Sequence, residues 1–514
     1  MTQLSAAQYL KKILLAPVYE AAVETPLQPL TKLSSRLNNQ ILLKREDLQP
    51  VHSFKLRGAY NKLANLTEPQ KQRGVIAASA GNHAQGVALS AKRMGLKATI
   101  VMPCTTPDIK VSAVRSLGAT VVLYGNSFDA ASKYCCLLAE EHGYTLIHPF
   151  DDPDVIAGQG TIAKELLQQN VHIDKIFIPV GGGGLTAGIA VYIKQLLPEI
   201  KIIGVEPADA ACLKVALDHG GPITLNKVGL FADGVAVKTI GTETFRLCQK
   251  YVDEVITVSS DEICTAVKDI FEDTRAISEP AGALSLAGLK KYCQLNKVQD
   301  EHLVAILSGA NVNFHGLRYV SERCELGEQK EGILAVTIPE TQGAFLAFCN
   351  ELDGRAITEF NYRLSSRKAA NIFVGIRTPL GHDELLTLTE NLTTAGYDVA
   401  DLSHDEMAKL HVRYMVGGTS ISNIKERLYS FEFPMHPNAL IKFLNMLGTH
   451  GNITLFHYRN HGAAYGQVLV GFELSESVEA FSKHLNALGY NYKDETDNQA
   501  YRFFLSQPET TQGI

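Results

Sequence analysis

Ser53-Phe54-Lys55-Leu56-Arg57-Gly58-Ala59 sets a lysine between a small hydroxyl residue and an Arg-Gly pair, just after the polar, proline-containing stretch Gln49-Pro50-Val51-His52. Taken alone, such a lysine is a solvated surface residue, because lysine is rarely fully buried. Two other stretches change that reading. Gly181-Gly182-Gly183-Gly184-Leu185 follows an apolar strand-like run, and Ser79-Ala80-Gly81-Asn82-His83 closes another. Glycines let consecutive backbone N–H groups converge on one anion, and a following helix adds the positive end of its dipole. The N–H groups of 79–83 can take an amino-acid carboxylate, while the Asn82 amide can reach a phenolic oxygen. An amine able to form a Schiff base, a loop for a phosphate and a loop for a carboxylate make a site for pyridoxal phosphate.

Other residues carry less. His83 is a candidate general base, yet Lys55 already covers that role and a structural histidine is the plainer reading. Ser308-Gly309-Ala310-Asn311 ends the apolar run 303–307, at the carboxyl edge where α/β ligands sit, although a helix-capping serine would look the same. The glycine run also admits a rival. Gly182-x-Gly184-x-x-Ala187 fits the loose dinucleotide fingerprint, with Glu206 ending the next strand at a distance suited to a ribose. A nicotinamide-dependent dehydrogenase therefore stays open, though it leaves Lys55 and 79–82 without a task. So does a plain tight turn.

These residues need a frame. Residues 1–325 alternate strand-like and helix-like segments, the pattern of a wound α/β sheet. Strand-like runs fall at 75–79, 98–102, 121–124, 175–180, 202–205 and 303–307, apolar throughout as expected of parallel strands covered on both faces. Helical stretches at 83–93 and 185–197 follow two of them. Residues 326–332 turn charged and linker-like. Beyond lies an internal repeat, at 333–404 and 427–499. Leu334-Ala-Val-Thr-Ile-Pro339 matches Tyr429-Ser-Phe-Glu-Phe-Pro434, and Ile357-Thr-Glu-Phe-Asn-Tyr-Arg363 matches Ile453-Thr-Leu-Phe-His-Tyr-Arg459. Each copy reads strand, proline turn, helix, strand, strand, helix, strand, a ferredoxin-like α+β unit. Two such units suggest a paired regulatory module, with a duplicated assembly domain as the alternative.

The bulk numbers narrow the class. At 514 residues the chain should hold about two to four domains. A hydrophobic content of 46% with 20% charged residues is that of an ordinary globular protein. A net charge of −6 leaves no basic footprint for nucleic acid. There is no apolar run of membrane-spanning length, and MTQLSAAQYLKKILLAPVYE has the pattern of neither a secretory signal nor a transit peptide. Nine cysteines without a C-x-x-C pair or a metal-type spacing read as reduced thiols in a cytoplasmic protein.

On S-F-K-x-R-G, S-A-G-N-H, G-G-G-G-L and S-G-A-N, residues 1–325 resemble the tryptophan-synthase-β-like family of pyridoxal-phosphate enzymes, fold type II. With its tandem tail the whole chain resembles the biosynthetic threonine dehydratases, whose tail is a pair of ACT-like domains. The resemblance implies that Lys55 holds the cofactor as a Schiff base and that Gly181, Gly182, Gly183, Gly184 and Leu185 hold its phosphate. It implies that Asn82 contacts the ring oxygen and Ser308 the pyridine nitrogen, where a neutral hydroxyl favours elimination over transamination. Ser79, Ala80, Gly81 and His83 are expected at the substrate. The implied reaction turns L-threonine into 2-oxobutanoate and ammonia, the first step of isoleucine biosynthesis. Isoleucine as inhibitor, valine as its opponent and a homotetramer follow from the same resemblance.

Tyr362 and Tyr458, equivalent in F-N-Y-R and F-H-Y-R, could flank effector pockets, although aromatic core residues are the plainer explanation. Some relatives bind a divalent metal through an acidic cluster just past the position of Glu206. Here Ala210 and Cys212 stand where a second carboxylate would be wanted, so no metal is expected there. Another pyridoxal-phosphate lyase, or a racemase acting on serine, remains the nearest alternative. The tandem tail argues against it, because such enzymes have less use for end-product sensing.

Overall fold

The computed structural model describes residues 3–498, 501 and 505, apart from 170–171, 313, 328–329, 342, 365–367, 411, 416, 418–423, 435–438, 448–449 and 460–464. The chain divides into two compact units, Met1–Cys324 and Glu325–Ile514.

In the first unit the expected alternation of strand and helix is present, but its strands divide between two sheets. The smaller has the order Thr120–Leu123, Ala98–Met102, Val75–Ala78, Thr145–Leu146, all parallel. The larger runs Leu27–Pro29, Gln40–Arg45, His302–Leu307, Lys175–Pro179, Lys201–Pro207, Glu254–Val258, and only its first pair is antiparallel. An apolar run marks a buried strand; it does not say which strand lies beside it. Val75–Ala78 and Lys175–Pro179 are buried along their whole length, as parallel strands under helices should be. Thr120–Leu123 is an edge strand without a fully buried residue, so there the expectation of complete cover fails.

Four buried charges tie the helix Lys55–Ala64 to its neighbours. Arg57 donates from Nε and Nη2 to Glu46 (2.8 and 2.7 Å) and from Nη1 to Glu165 (2.5 Å). Lys44 Nζ donates to Glu165 Oε2 (2.6 Å) and to the Thr25 carbonyl (2.5 Å). All four side chains are fully buried. Burial opposes the charge on Glu165, but Arg57 and Lys44 outweigh it and hold the carboxyl below its ordinary range. The helix Pro153–Gln169, which carries Glu165, touches Lys55–Ala64 backbone to backbone. A Cβ on Gly158 would stand 2.5 Å from the Arg57 carbonyl oxygen and 2.7 Å from Gly58 Cα.

The second unit is one eight-stranded antiparallel sheet. Its order is Asp398–Asp401, Glu331–Pro339, Ala369–Arg377, Ile357–Arg363, Gly451–Arg459, Tyr465–Leu474, Glu426–Pro434, Asn491–Asp494. Each repeat contributes four strands in mirrored order, and the copies join along the F-N-Y-R and F-H-Y-R strands. Asn361 pairs with His457, while Phe360 pairs with Tyr458 and Tyr362 with Phe456, so a pseudo-twofold axis passes through the middle of the seam. The helices Ala344–Glu351, His382–Thr394, Ala439–Leu447 and Val478–Leu488 cover one face over an aromatic core that includes Phe348, Phe360, Phe443 and Phe456. Gln499, the expected end of the second copy, lies outside the described residues.

The stretch 326–332 is not the plain linker its charge suggested. It contains the end of the helix Phe314–Gly327 and the start of the strand Glu331–Pro339; residues 328–329 lie outside those described. Glu331 is buried, accepts from the Thr358 hydroxyl and faces Arg413 at 3.8 Å, so part of that charge belongs to the interior.

Candidate active site

Lys55 opens its helix, and the turn before it is pinned to the large sheet. Phe54 N donates to Ser308 O (3.1 Å), Ala310 N donates to His52 O (2.9 Å), and Ser53 bridges Gly309. Two motifs far apart in sequence thus meet beyond the carboxyl end of His302–Leu307, where ligands of parallel sheets sit.

Ile147-His148-Pro149-Phe150, leaving the small sheet, threads between the remaining motifs. The Ile147 carbonyl lies 2.9 Å from His83 Nε2, and the Pro149 carbonyl accepts from Lys55 Nζ (3.3 Å). Phe150 packs on the glycine loop: a Cβ on Gly182 would overlap its ring, and one on Gly184 would stand 3.0 Å from its Cα. Gly183 has φ +87°, a conformation open to glycine and costly for other residues. The helix Gly184–Leu196 begins at this loop, so its first N–H groups open onto it. Thr186 Oγ1, in the first turn, is buried without a hydrogen-bond partner. A bare glycine cradle, a helix N-terminus and an unspent buried hydroxyl fit a phosphate.

Burial pushes the Lys55 amine down to about 8, with Glu279 opposing. An amine neutral at moderately alkaline pH is the form that attacks a carbonyl. Asn82, at the start of the helix Asn82–Met94, is held at both ends of its amide. Nδ2 donates to Glu279 Oε1 (2.7 Å), and Oδ1 accepts from Asn311 Nδ2 (2.8 Å). One amide hydrogen remains free to donate. Glu279 is itself buried; burial first, then the Asp233 carboxylate, push it up to about 7. Ser308 is buried with its hydroxyl 3.3 Å from the Ala281 carbonyl.

The loop 79–81 borders open space, since a Cβ on Gly81 would meet nothing within 4 Å. Its shape is kept by Gly81 N donating to Ser79 Oγ (3.3 Å). His83 lies buried behind it. Burial, then Lys55, push its ring down to about 3, so it is neutral at ordinary pH with Nε2 spent on a backbone carbonyl.

Sequence reasoning missed Glu279, the role of Asn311 and the segment 147–150. Glu279 precedes Pro280 at the start of the helix Pro280–Asn296, which reads as an ordinary helix opening. Segment 147–150 works largely through backbone carbonyls, which leave no trace in residue identity. The rival role for Glu206 fails on geometry. Its carboxylate is fully buried and accepts from Leu213 N (2.7 Å) and Lys214 N (2.9 Å), which leaves nothing facing a ribose. Cys212 Sγ lies 3.3 Å from the Gly181 carbonyl, packing against the glycine loop. Tyr362 and Tyr458, in the second unit, are both buried in the aromatic core. The Tyr362 hydroxyl donates to Glu340 Oε1 (2.7 Å) and lies 3.1 Å from the Ile453 carbonyl of the other repeat.

Residues 18–309 match the family model described as pyridoxal-phosphate dependent enzyme. Residues 322–412 and 417–505 each match the C-terminal regulatory domain of threonine dehydratase. The biosynthetic L-threonine dehydratase of Escherichia coli strain K12 is 63% identical over 500 residues, covering 97% of either chain. The chain belongs to the biosynthetic threonine dehydratase family. It is a pyridoxal-phosphate enzyme of fold type II with two ACT-like domains behind the catalytic one. Among solved structures, the processed form of threonine deaminase isoform 2 from Solanum lycopersicum is 51% identical with a TM-score of 0.61, over 62% of this chain and 92% of that one. Serine racemase from Dictyostelium discoideum, 34% identical with a TM-score of 0.56, covers 59% of this chain and 99% of that one. The racemase thus matches little more than half of this chain, whereas the dehydratase of E. coli matches nearly all of it. No helix among the described residues is long and apolar enough to cross a membrane.

Proposed function

We propose that this threonine dehydratase converts L-threonine to 2-oxobutanoate and ammonia with Lys55 as its catalytic amine, under end-product control exerted through the second unit. The observation that carries the reading is that the motifs of Lys55, Asn82 and Ser308 are joined through their neighbours, Phe54 N to Ser308 O, Asn311 to Asn82 and Glu279 to both Asn82 and Gly309, with segment 147–150 linking Lys55 to the glycine loop. Pyridoxal phosphate, when bound, supplies the electron sink for α-proton removal and loss of the β-hydroxyl. Gly181, Gly182, Gly183, Gly184 and Leu185 hold its phosphate through backbone N–H groups and the helix N-terminus. Asn82 offers its free amide hydrogen to the ring oxygen, and Ser308 offers a neutral hydroxyl to the ring nitrogen. The N–H groups of Ser79, Ala80 and Gly81 orient the substrate carboxylate. Lys55, its proton affinity lowered by burial, takes the α-proton. His83 supports the segment carrying the Pro149 carbonyl rather than moving a proton.

Isoleucine inhibits and valine opposes it through the second unit of a cytoplasmic homotetramer, while the core burial of Tyr362 and Tyr458 favours the plainer, structural reading of those two residues. The test is 2-oxo acid release from threonine and from serine, with and without isoleucine, for the full chain and for a chain ending at Lys330. The full chain should favour threonine and respond to isoleucine. The shortened chain should stay active and lose a coupling of ~1–3 kcal/mol, a roughly 5- to 150-fold change in apparent threonine affinity. A shortened chain that remains soluble, active and equally sensitive to isoleucine puts the effector site in the first unit.

A further inference from the structure

We infer that the second regulatory repeat carries a binding site for a first-row divalent transition-metal ion, built from His450, Glu476 and His484. Among the described residues this is the one group of three or more His, Cys, Asp or Glu whose ligand atoms all lie within 4.8 Å of one another. It shares no residue with the Lys55 site, and His450 stands just before the strand that carries Tyr458, at the end opposite to that tyrosine.

The three residues come from elements that fix their backbones. His450 immediately precedes the strand Gly451–Arg459, and Glu476 follows the strand Tyr465–Leu474. Gly451 pairs with Leu474, and Ser475 N donates to the His450 carbonyl (3.2 Å), so the two ligand-bearing ends are clamped one residue beyond the ladder. His484 stands on the helix Val478–Leu488, whose Phe481, Leu485 and Leu488 are buried in the aromatic core. That helix starts just after Glu476, with Ser477 as its N-cap accepting from Ala480 N.

The spacing of the donor atoms suits a small ion. Glu476 Oε1 lies 3.4 Å from His450 Nδ1 and 3.5 Å from His484 Nε2. Ligands about 2.0–2.1 Å from a tetrahedral zinc stand roughly 3.3–3.4 Å apart. Glu476 Oε1 is buried without a hydrogen-bond partner, and its contacts with the two imidazoles are ion pairs only when a ring is protonated. A buried carboxylate oxygen without a donor is costly, and a cation in reach of two imidazole nitrogens removes that cost. The two rings stack at 3.5 Å with planes 18° apart. Coordination requires each ring to swing about its terminal torsion until its nitrogen lone pair faces the ion, and that torsion is the soft one in histidine. Two imidazoles and one carboxylate are a donor set that zinc uses in three-ligand sites, the remaining position going to water. The side chains are about one-third exposed, which gives an ion its path of entry.

The experiment is zinc titration of the full-length, cofactor-loaded protein by calorimetry, repeated with cobalt for its visible d–d bands. The same titrations are run on His484→Asn, His450→Gln and Glu476→Gln, made separately so that one poorly folded variant does not decide the matter. Wild type should take up one more ion per chain than each variant, or bind that ion at least roughly tenfold more tightly. Its bound cobalt should show the intense bands of a tetrahedral site, and zinc should raise its Tm by more than it raises that of the variants. Equal stoichiometry and affinity in wild type and all three folded variants would overturn the site.

Discussion

The two units both bury charge, but they use it differently. In the first, Lys44, Glu46, Arg57 and Glu165 form one asymmetric cluster that fixes the helix opened by Lys55. In the second, the same small arrangement occurs twice at equivalent places. The Thr358 hydroxyl donates to Glu331 beside Gly375, and the Thr454 hydroxyl donates to Glu426 beside Gly471. Arg413 adds its charge to the first through Glu359 (2.7 Å), and Arg363 to the second through Glu426 (2.5 Å). The first cluster holds the helix that opens at Lys55. The regulatory clusters hold the sheet on both sides of its pseudo-twofold axis. The contrast locates chemistry in one unit and symmetric support in the other.

The sharpest way to break that contrast is Lys55→Ala. Turnover should fall by roughly 10⁴-fold or more, because the carbonyl-binding amine and the α-proton base vanish together. Borohydride reduction of wild type followed by peptide mass analysis should put the cofactor on the peptide containing Lys55. An adduct on another lysine would remove the chemistry from this helix.

How much of this could be read beforehand follows the same division. Lys55, Asn82, the four glycines and Ser308 stood out because cofactor chemistry needs rare residues at backbone positions with few substitutes. The repeat stood out because F-N-Y-R and F-H-Y-R recur within matching flanks. The grouping of strands into two sheets was not legible, since burial sets apolarity whatever the partner strand. Glu279 and segment 147–150 were hidden for different reasons: the first looks like a helix opening, the second acts through its carbonyls. His450, Glu476 and His484 have no metal-type spacing, because a hairpin and a helix bring them together.

A second test compares the arginines directly. Arg57→Met leaves Glu46 and Glu165 buried without their shared partner, which should cost about 3–5 kcal/mol in denaturant unfolding and lower kcat as well. Arg363→Met exposes Glu426 to the same kind of loss, eased by the hydroxyls of Thr454 and of Tyr501 (2.8 Å), so its cost should be smaller. Its kcat in the absence of effectors should be unchanged. If Arg363→Met slows uninhibited turnover as much as Arg57→Met does, the regulatory clusters are part of the catalytic machinery and the division fails.

The smallest expected effect concerns two carboxyls whose proton affinity burial raises, Glu279 in the first unit and Glu340 in the second. Glu279 is raised from 4.5 to about 7, chiefly by burial and then by Asp233. Below pH 4.5 the folded and unfolded chains both hold its proton, so it imposes no difference between them. As pH rises from 4.5 to 7, the unfolded chain releases the proton while the folded one keeps it, and stability declines; above 7 the penalty is complete. Glu279→Gln removes this term while keeping an acceptor for Asn82, so in cofactor-free protein the variant should gain on wild type across that window by ~1–3 kcal/mol. Glu340, raised by burial although the Tyr362 hydroxyl partly offsets it, should act in the same direction on the second unit. Glu340→Gln should gain less, because its partner already favours the charged form. Urea unfolding at pH 5 and pH 8 reads both. Should Glu279→Gln show the same pH dependence as wild type, Glu279 is ionised beside Asn82 at neutral pH and the amide is held by a full charge.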